Sequence, residues 1–101
     1  MISFTVLLIP KAEIDFFDAW QWYKNESPDL AQKFWEAIFQ TLTRIGDHPS
    51  HYSLARENIR VAFVKRFPYK IVYNITDAMK QVLVIAIIHN KRHPDVWKKR
   101  V

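Results

Sequence analysis

The chain has no cysteine, a single glycine and no apolar stretch approaching the roughly 20 residues that a membrane-spanning helix requires. Without thiols, disulfides and thiolate metal sites are excluded, which fits a reducing compartment and makes a cytoplasmic location the expectation. The opening residues Met1 to Pro10 are apolar but lack the basic start and small-residue cleavage site of a secretory signal, so they read as a strand. The want of any long apolar run implies a soluble protein without a membrane partner. Repeats, linkers and low-complexity tracts are missing too. What is present is 101 residues, half of them apolar and 15% aromatic, which suffices for one hydrophobic core and leaves no room for a second domain.

Charge is unevenly spread. Residues 1–50 carry four Lys and Arg against seven Asp and Glu, a balance of −3, whereas residues 51–101 carry eleven against three, a balance of +8. A positive C-terminal half draws in polyanions and acidic protein segments, unless it serves only solubility.

Apolar residues recur at Ala12, Phe16, Ala19, Trp20 and Tyr23, which predicts a helix over 12–25. Ser27-Pro28-Asp29 reads as the N-cap and first turn of a second helix, because proline has no amide to leave unsatisfied there and serine can accept from an orphan one. Its stripe is Ala31, Phe34, Ile38, Leu42 and Ile45, and Gly46 stands where a left-handed cap would end it. Two such helices joined by so short a connection form an antiparallel hairpin.

After a loop over 47–58 the period changes to two. Strands are predicted at 59–64 and 70–75, joined around Pro68, and the seven-residue apolar run Val82 to Ile88 reads as a central strand covered on both faces. A short C-terminal turn or helix follows Pro94. The expected class is α+β, a helical hairpin on one face of a mainly antiparallel four-stranded sheet that includes the N-terminal strand. If Ile59, Val61, Phe63, Ile71, Tyr73 and Ile75 face the helices, Arg60, Arg66, Lys70 and Asn74 point to the opposite, cationic side.

Arg60, Arg66, Lys70, Lys91 and Arg92 are the candidate phosphate or target contacts, arginine offering a bidentate fork and lysine a point charge. Trp97 could stack on a target, though a tryptophan so near the end reads better as a pin holding the tail to the sheet. His89 and His93, and likewise His48 and His51, lack a third ligand, so no metal site is assigned. Phe17, Trp22, Trp35 and Phe39 lie wide of the helical stripes and suggest an exposed partner surface or a homodimer contact.

The order of elements, the segment Phe67-Pro68-Tyr69-Lys70-Ile71-Val72-Tyr73 and the ending His89…Arg92…Pro94…Trp97 together resemble the RelE/ParE superfamily of bacterial type II toxins, over nearly the whole chain. The resemblance implies a plasmid-stabilisation type of toxin that inhibits growth without metal or cofactor and is neutralised by a cognate antitoxin, in a dimer or heterotetramer. ParE-like members inhibit DNA gyrase without nucleic-acid chemistry; RelE-like members cut messenger RNA in the ribosomal A site. RelE-like enzymes place lysines before the Tyr-x-x-x-Tyr segment and a tyrosine near the end; on that pattern this chain has Val61 and Phe63 near the lysines, Lys70 where arginine is usual, and Trp97 at or near the tyrosine. Indole has no ionisable hydroxyl, so the ParE-like reading is favoured. A nuclease would have to rely on Arg60, Lys70, His89 and Arg92. A non-toxic nucleic-acid-binding module is a third expectation. Under the toxin reading, Phe17, Trp22, Trp35 and Phe39 bind the antitoxin, and Arg60, Arg66, Lys70, Lys91, Arg92 and Trp97 the target.

Overall fold

The computed structural model describes residues 3–101, so Met1 and Ile2, the first two residues of the predicted N-terminal strand, lie outside the described residues. The order is β1 (Thr5–Leu8), α1 (Pro10–Glu26), α2 (Pro28–Asp47), β2 (Ser53–Arg56), β3 (Ile59–Phe63), β4 (Tyr69–Thr76), β5 (Gln81–His89) and α3 (Asp95–Lys98). Proline opens both long helices, where its fixed φ suits the first turn. Ser27 serves both: its N–H donates to Tyr23 O at 2.8 Å, ending α1, and its Oγ accepts from Leu30 N–H at 3.3 Å, capping α2. The predicted stripe of α2 is buried throughout, and Ala12, Ala19 and Tyr23 are the buried positions of α1.

Gly46 corrects the expectation of a left-handed cap. It lies within α2 without a positive φ. Its value is close approach: an added Cβ would stand 3.1 Å from Val6 Cγ2 and 3.2 Å from Phe4 O. Phe4 N–H in turn donates to Gly46 O at 2.8 Å, fastening the helix end to the residues just before β1.

The described strands form a five-stranded sheet in the order β1-β5-β4-β3-β2, parallel between β1 and β5 and antiparallel elsewhere. The fifth strand is β2, inside the region read as a loop. All four of its residues are exposed, so it shows no burial alternation. β5 is buried on both faces as predicted: Val82, Val84 and Ile87 pack under the helices, while Ile85, Ala86 and Ile88 pack on the far side.

The faces of β3 are the reverse of those expected. Ala62 and Val64 join the core beneath the helices, and Ile59 and Val61 belong to the cluster on the far side. Both registers of 59–64 are largely apolar, so alternation alone does not choose between them; pairing with β4 does, setting Arg60 opposite Tyr73 and Phe63 opposite Lys70. The far side is also partly covered, because Trp97 of α3, only 4% exposed, closes over Ile59, Val72, Ile85, Ala86 and Ile88. The expected single cationic face therefore does not form. Arg60 sits on the helix side, Lys70 and Asn74 on the far side, and Arg66 in the β3–β4 turn at φ +70°.

Candidate functional site

α1 crosses the sheet near the C-terminal end of β5, and between them opens a cleft of about 260 Å³ lined by Asp18, Trp22, Tyr69, Ile88, His89 and Arg92, among others. Trp22, Tyr69 and His89 also border a neighbouring, more apolar hollow of about 460 Å³ that reaches Tyr23, Leu30 and Pro68. The indole of Trp22 is 59% exposed and meets the Tyr23 ring edge-on at 5.1 Å. Tyr69 and His89, directly paired across β4 and β5, hold their rings edge to face at 5.4 Å. Burial pushes the Tyr69 phenol above its ordinary pKa, the Arg92 guanidinium pulling the other way. At neutral pH Tyr69 is thus an uncharged hydroxyl. His89 Nδ1 accepts from Lys91 N–H at 3.1 Å, so the neutral ring carries its proton on Nε2. The cleft accordingly combines an exposed ring, two polar rings, a guanidinium and the Asp18 carboxylate, a composition typical of residues that anchor protein interfaces.

Of the predicted site residues, Trp22, His89 and Arg92 are brought together here, Trp22 from the expected antitoxin set, Arg92 from the expected target set and His89 from the set a nuclease would use. The rest are dispersed. Arg60 donates to Tyr52 O at 2.6 Å and Ser50 O at 3.3 Å, bracing the turn after α2. Lys70 lies across the sheet beside Arg56 and Lys98. Lys91 and Arg66 are exposed in turns. Trp97 is buried and acts as the pin its position suggested, which withdraws it from any surface contact. Phe17, Trp35 and Phe39 are 57%, 44% and 45% exposed. Trp35 and Phe39 stack at 5.1 Å, both edge-on to the half-buried Phe16, and form an aromatic patch on α2, whereas Phe17 leans on Trp20 of α1.

Sequence reasoning missed Tyr69 as a cleft residue, although the Tyr-x-x-x-Tyr spacing singled out its segment. It also missed the ion pair that shapes the cleft floor. Asp15 accepts from both Arg100 terminal nitrogens, at 2.5 and 3.1 Å, and from Ile87 N–H at 3.1 Å, while Arg100 donates to Ile85 O at 3.0 Å. Ile85 is an extra residue in β5, since Val72 pairs with Ala86 and Tyr73 with Val84. The pair supplies the hydrogen bonds that β5 finds no strand to make there. The stacked His48 and His51 rings lie 4.7 Å apart. Among the described residues no group of three or more His, Cys, Asp or Glu could hold a metal ion, and no helix is long and apolar enough to cross a membrane.

Comparison with solved structures shows the same fold in two toxin–antitoxin systems. A chain of the chromosomal ParDE system from P. aeruginosa matches with a TM-score of 0.73 at 14% identity, over 86% of this chain and 96% of that one. A chain of the toxin–antitoxin complex RelBE2 from Mycobacterium tuberculosis matches with a TM-score of 0.62 at 19% identity, over 88% and 93%. Among curated proteins no relative matches the sequence. The family model described as the ParE toxin of the type II toxin–antitoxin system parDE matches residues 6–94, from β1 to the turn before α3. By that span the chain belongs to the ParE toxin family of type II toxin–antitoxin systems.

Proposed function

We propose that this toxin arrests growth by gripping a protein target such as DNA gyrase through the cleft of Trp22, Tyr69, His89 and Arg92, and that a cognate antitoxin silences it from the helical side. One observation carries binding over cleavage: the four residues a nuclease would need do not converge. Arg60 is engaged on the helix side, Lys70 lies on the far side, and only His89 and Arg92 share a cleft. Phosphoryl chemistry requires base, acid and cations within hydrogen-bond reach of one phosphate. The Asp18 carboxylate in the same cleft would repel that phosphate. The positions matched to the RelE-like lysines and tyrosine carry Val61, Phe63 and a buried Trp97.

Exposed Trp22, with Phe17, Trp35 and Phe39, offers apolar anchors for an antitoxin segment laid along the helices. Because Trp22 belongs to the cleft as well, such a segment would occlude the target site.

The test is a gyrase supercoiling assay run beside a ribosomal A-site cleavage assay. The purified toxin should inhibit supercoiling and leave ribosome-bound messenger intact, and Trp22→Ala with Arg92→Ala should weaken inhibition at least tenfold without lowering thermal stability. Messenger cleavage with supercoiling untouched would overturn the proposal. It would favour a nuclease in which His89 Nε2 moves the proton beside Arg92, and then His89→Ala should abolish cleavage in a folded protein.

A further inference from the structure

The exposed face of α2 carries its charges in a mirrored order. Trp35, Glu36, Phe39, Gln40, Thr43 and Arg44, all exposed, line an open hollow of about 560 Å³ on this helix. On a helix they fall into two neighbouring ridges of residues four apart, Trp35-Phe39-Thr43 and Glu36-Gln40-Arg44. The first ridge is apolar in effect, because the Thr43 hydroxyl is already spent on Phe39 O at 2.9 Å. The second has an acid at one end, a base at the other and an amide midway. Glu36 and Arg44 each stand about 6 Å along the axis from Gln40, in opposite directions. Neither takes part in an ion pair among the described residues.

This order narrows the occupant. An acidic peptide laid on the ridge would satisfy Arg44 and be repelled by Glu36, and a basic one would do the reverse. A second copy of α2, crossing antiparallel on a two-fold axis at Gln40, satisfies both: Glu36 of each copy meets Arg44 of the other, once on either side of the axis. The two Gln40 carboxamides face each other, and each carries both a donor and an acceptor for the exchange. The Phe39 rings, one residue from the axis on the adjoining ridge, meet across it and lose water together. Seven residues out, Lys33 and Asp47 repeat the mirrored signs, although each already has a neighbour in Asp29 and Ser3.

We infer that the free toxin pairs with a second copy of itself through α2, with Gln40 on the two-fold axis, Glu36 and Arg44 as reciprocal ion pairs and Phe39 as the apolar centre. This goes beyond the proposed function, since it needs neither gyrase nor antitoxin. An antitoxin anchored on Trp35 and Phe39 would have to part the pair, so self-association and capture at this patch exclude one another.

The experiment is sedimentation equilibrium of the purified full-length toxin alone, from about 1 to 200 μM. A reversible dimer is expected, with Kd on the order of 10 μM, as suits a contact of one helix per copy. Glu36→Arg places two cations at each end of the interface and Arg44→Glu two acids, so each variant alone should be monomeric throughout that range. An equimolar mixture of the two should dimerise again, because every reversed side chain then faces its opposite. Phe39→Ala should weaken the dimer at least tenfold. Unchanged melting temperatures show that the variants fold, and the charge reversals lie on exposed positions that the core does not use. A parent toxin that stays monomeric at 200 μM would overturn the inference and leave the antitoxin reading standing. So would a dimer indifferent to both reversals, which would place the contact elsewhere, or a mixture of the two variants that remains monomeric.

Discussion

Tyr73 shows how much one side chain settles. It is among the largest wholly buried residues, and its hydroxyl donates to the carbonyl of buried Pro49 at 2.5 Å, tying the centre of the sheet to the turn that follows α2. Burial pushes the phenol up to about 12, with Arg60 opposing the rise and Tyr52 adding to it. The sign of the linkage follows. Below the ordinary value near 10 the phenol is protonated in both the folded and the unfolded chain, and its contribution to stability is complete. Between about 10 and about 12 the unfolded phenol loses its proton while the folded one keeps it, so stability falls as pH rises. Tyr73→Phe should cost about 1–3 kcal/mol near neutrality, because Pro49 O is left buried without a donor. It should also flatten the alkaline fall. Burial raises the Tyr23 and Tyr69 phenols too, so some slope will remain. Urea unfolding of both proteins from pH 9 to 12, followed by tryptophan fluorescence, measures this; parallel curves would show that Tyr73 does not carry the effect.

Among the elements, the tail shows what a sequence leaves unsaid. Asp15 and Arg100 are 85 residues apart, and nothing local marks either, yet together they satisfy Ile87 N–H and Ile85 O at the bulge of β5. Their side chains are 15% and 12% exposed, so the pair is close to a buried one. Removing one partner of such a pair strands the other, at about 3–5 kcal/mol. Each single variant also strips a β5 backbone group of its partner, Asp15→Ala the Ile87 amide and Arg100→Ala the Ile85 carbonyl, so the two should cost about the same. The double variant should cost clearly less than the two singles together in urea titrations; additivity within about 0.5 kcal/mol would mean that the two residues do not act as one latch. The helical hairpin was legible because its apolar period, Pro28 and Ser27 all agree, although Pro10, read as the end of a strand, opens α1. The apolar run of β5 was legible for its length. β2 was not, because an exposed edge strand of four residues buries neither register. Nor was the orientation of β3, where two apolar registers compete and only the long-range pairing with β4 decides. The cleft was legible in its parts, Trp22, His89 and Arg92, but not as a site, because it exists only where α1 crosses β5.

At the scale of the molecule, chain order becomes charge separation. The helices come from the acidic first half of the sequence, whereas four of the five described strands and the tail come from the basic second half, so an acidic layer lies against a basic one in a body of 41 × 32 × 22 Å. Within the proposed function this divides the work of antitoxin capture. The cations at the cleft rim, Lys91 and Arg92, are exposed and act at a distance, which speeds encounter with an acidic segment and is screened by salt. The aromatic patch of Trp35 and Phe39 acts only on contact and so governs how long the complex lasts. Lys91→Ala with Arg92→Ala should therefore slow association with the cognate antitoxin severalfold at low salt and little at 0.5 M, leaving dissociation nearly unchanged. Trp35→Ala should do the reverse, raising the dissociation rate tenfold or more while the association rate stays within about twofold. Stopped-flow fluorescence across ionic strength separates the two. If Trp35→Ala left the dissociation rate unchanged, the antitoxin would have to be anchored away from the α2 patch, with Phe17 and Trp22 of α1 as the remaining exposed rings of the helical layer.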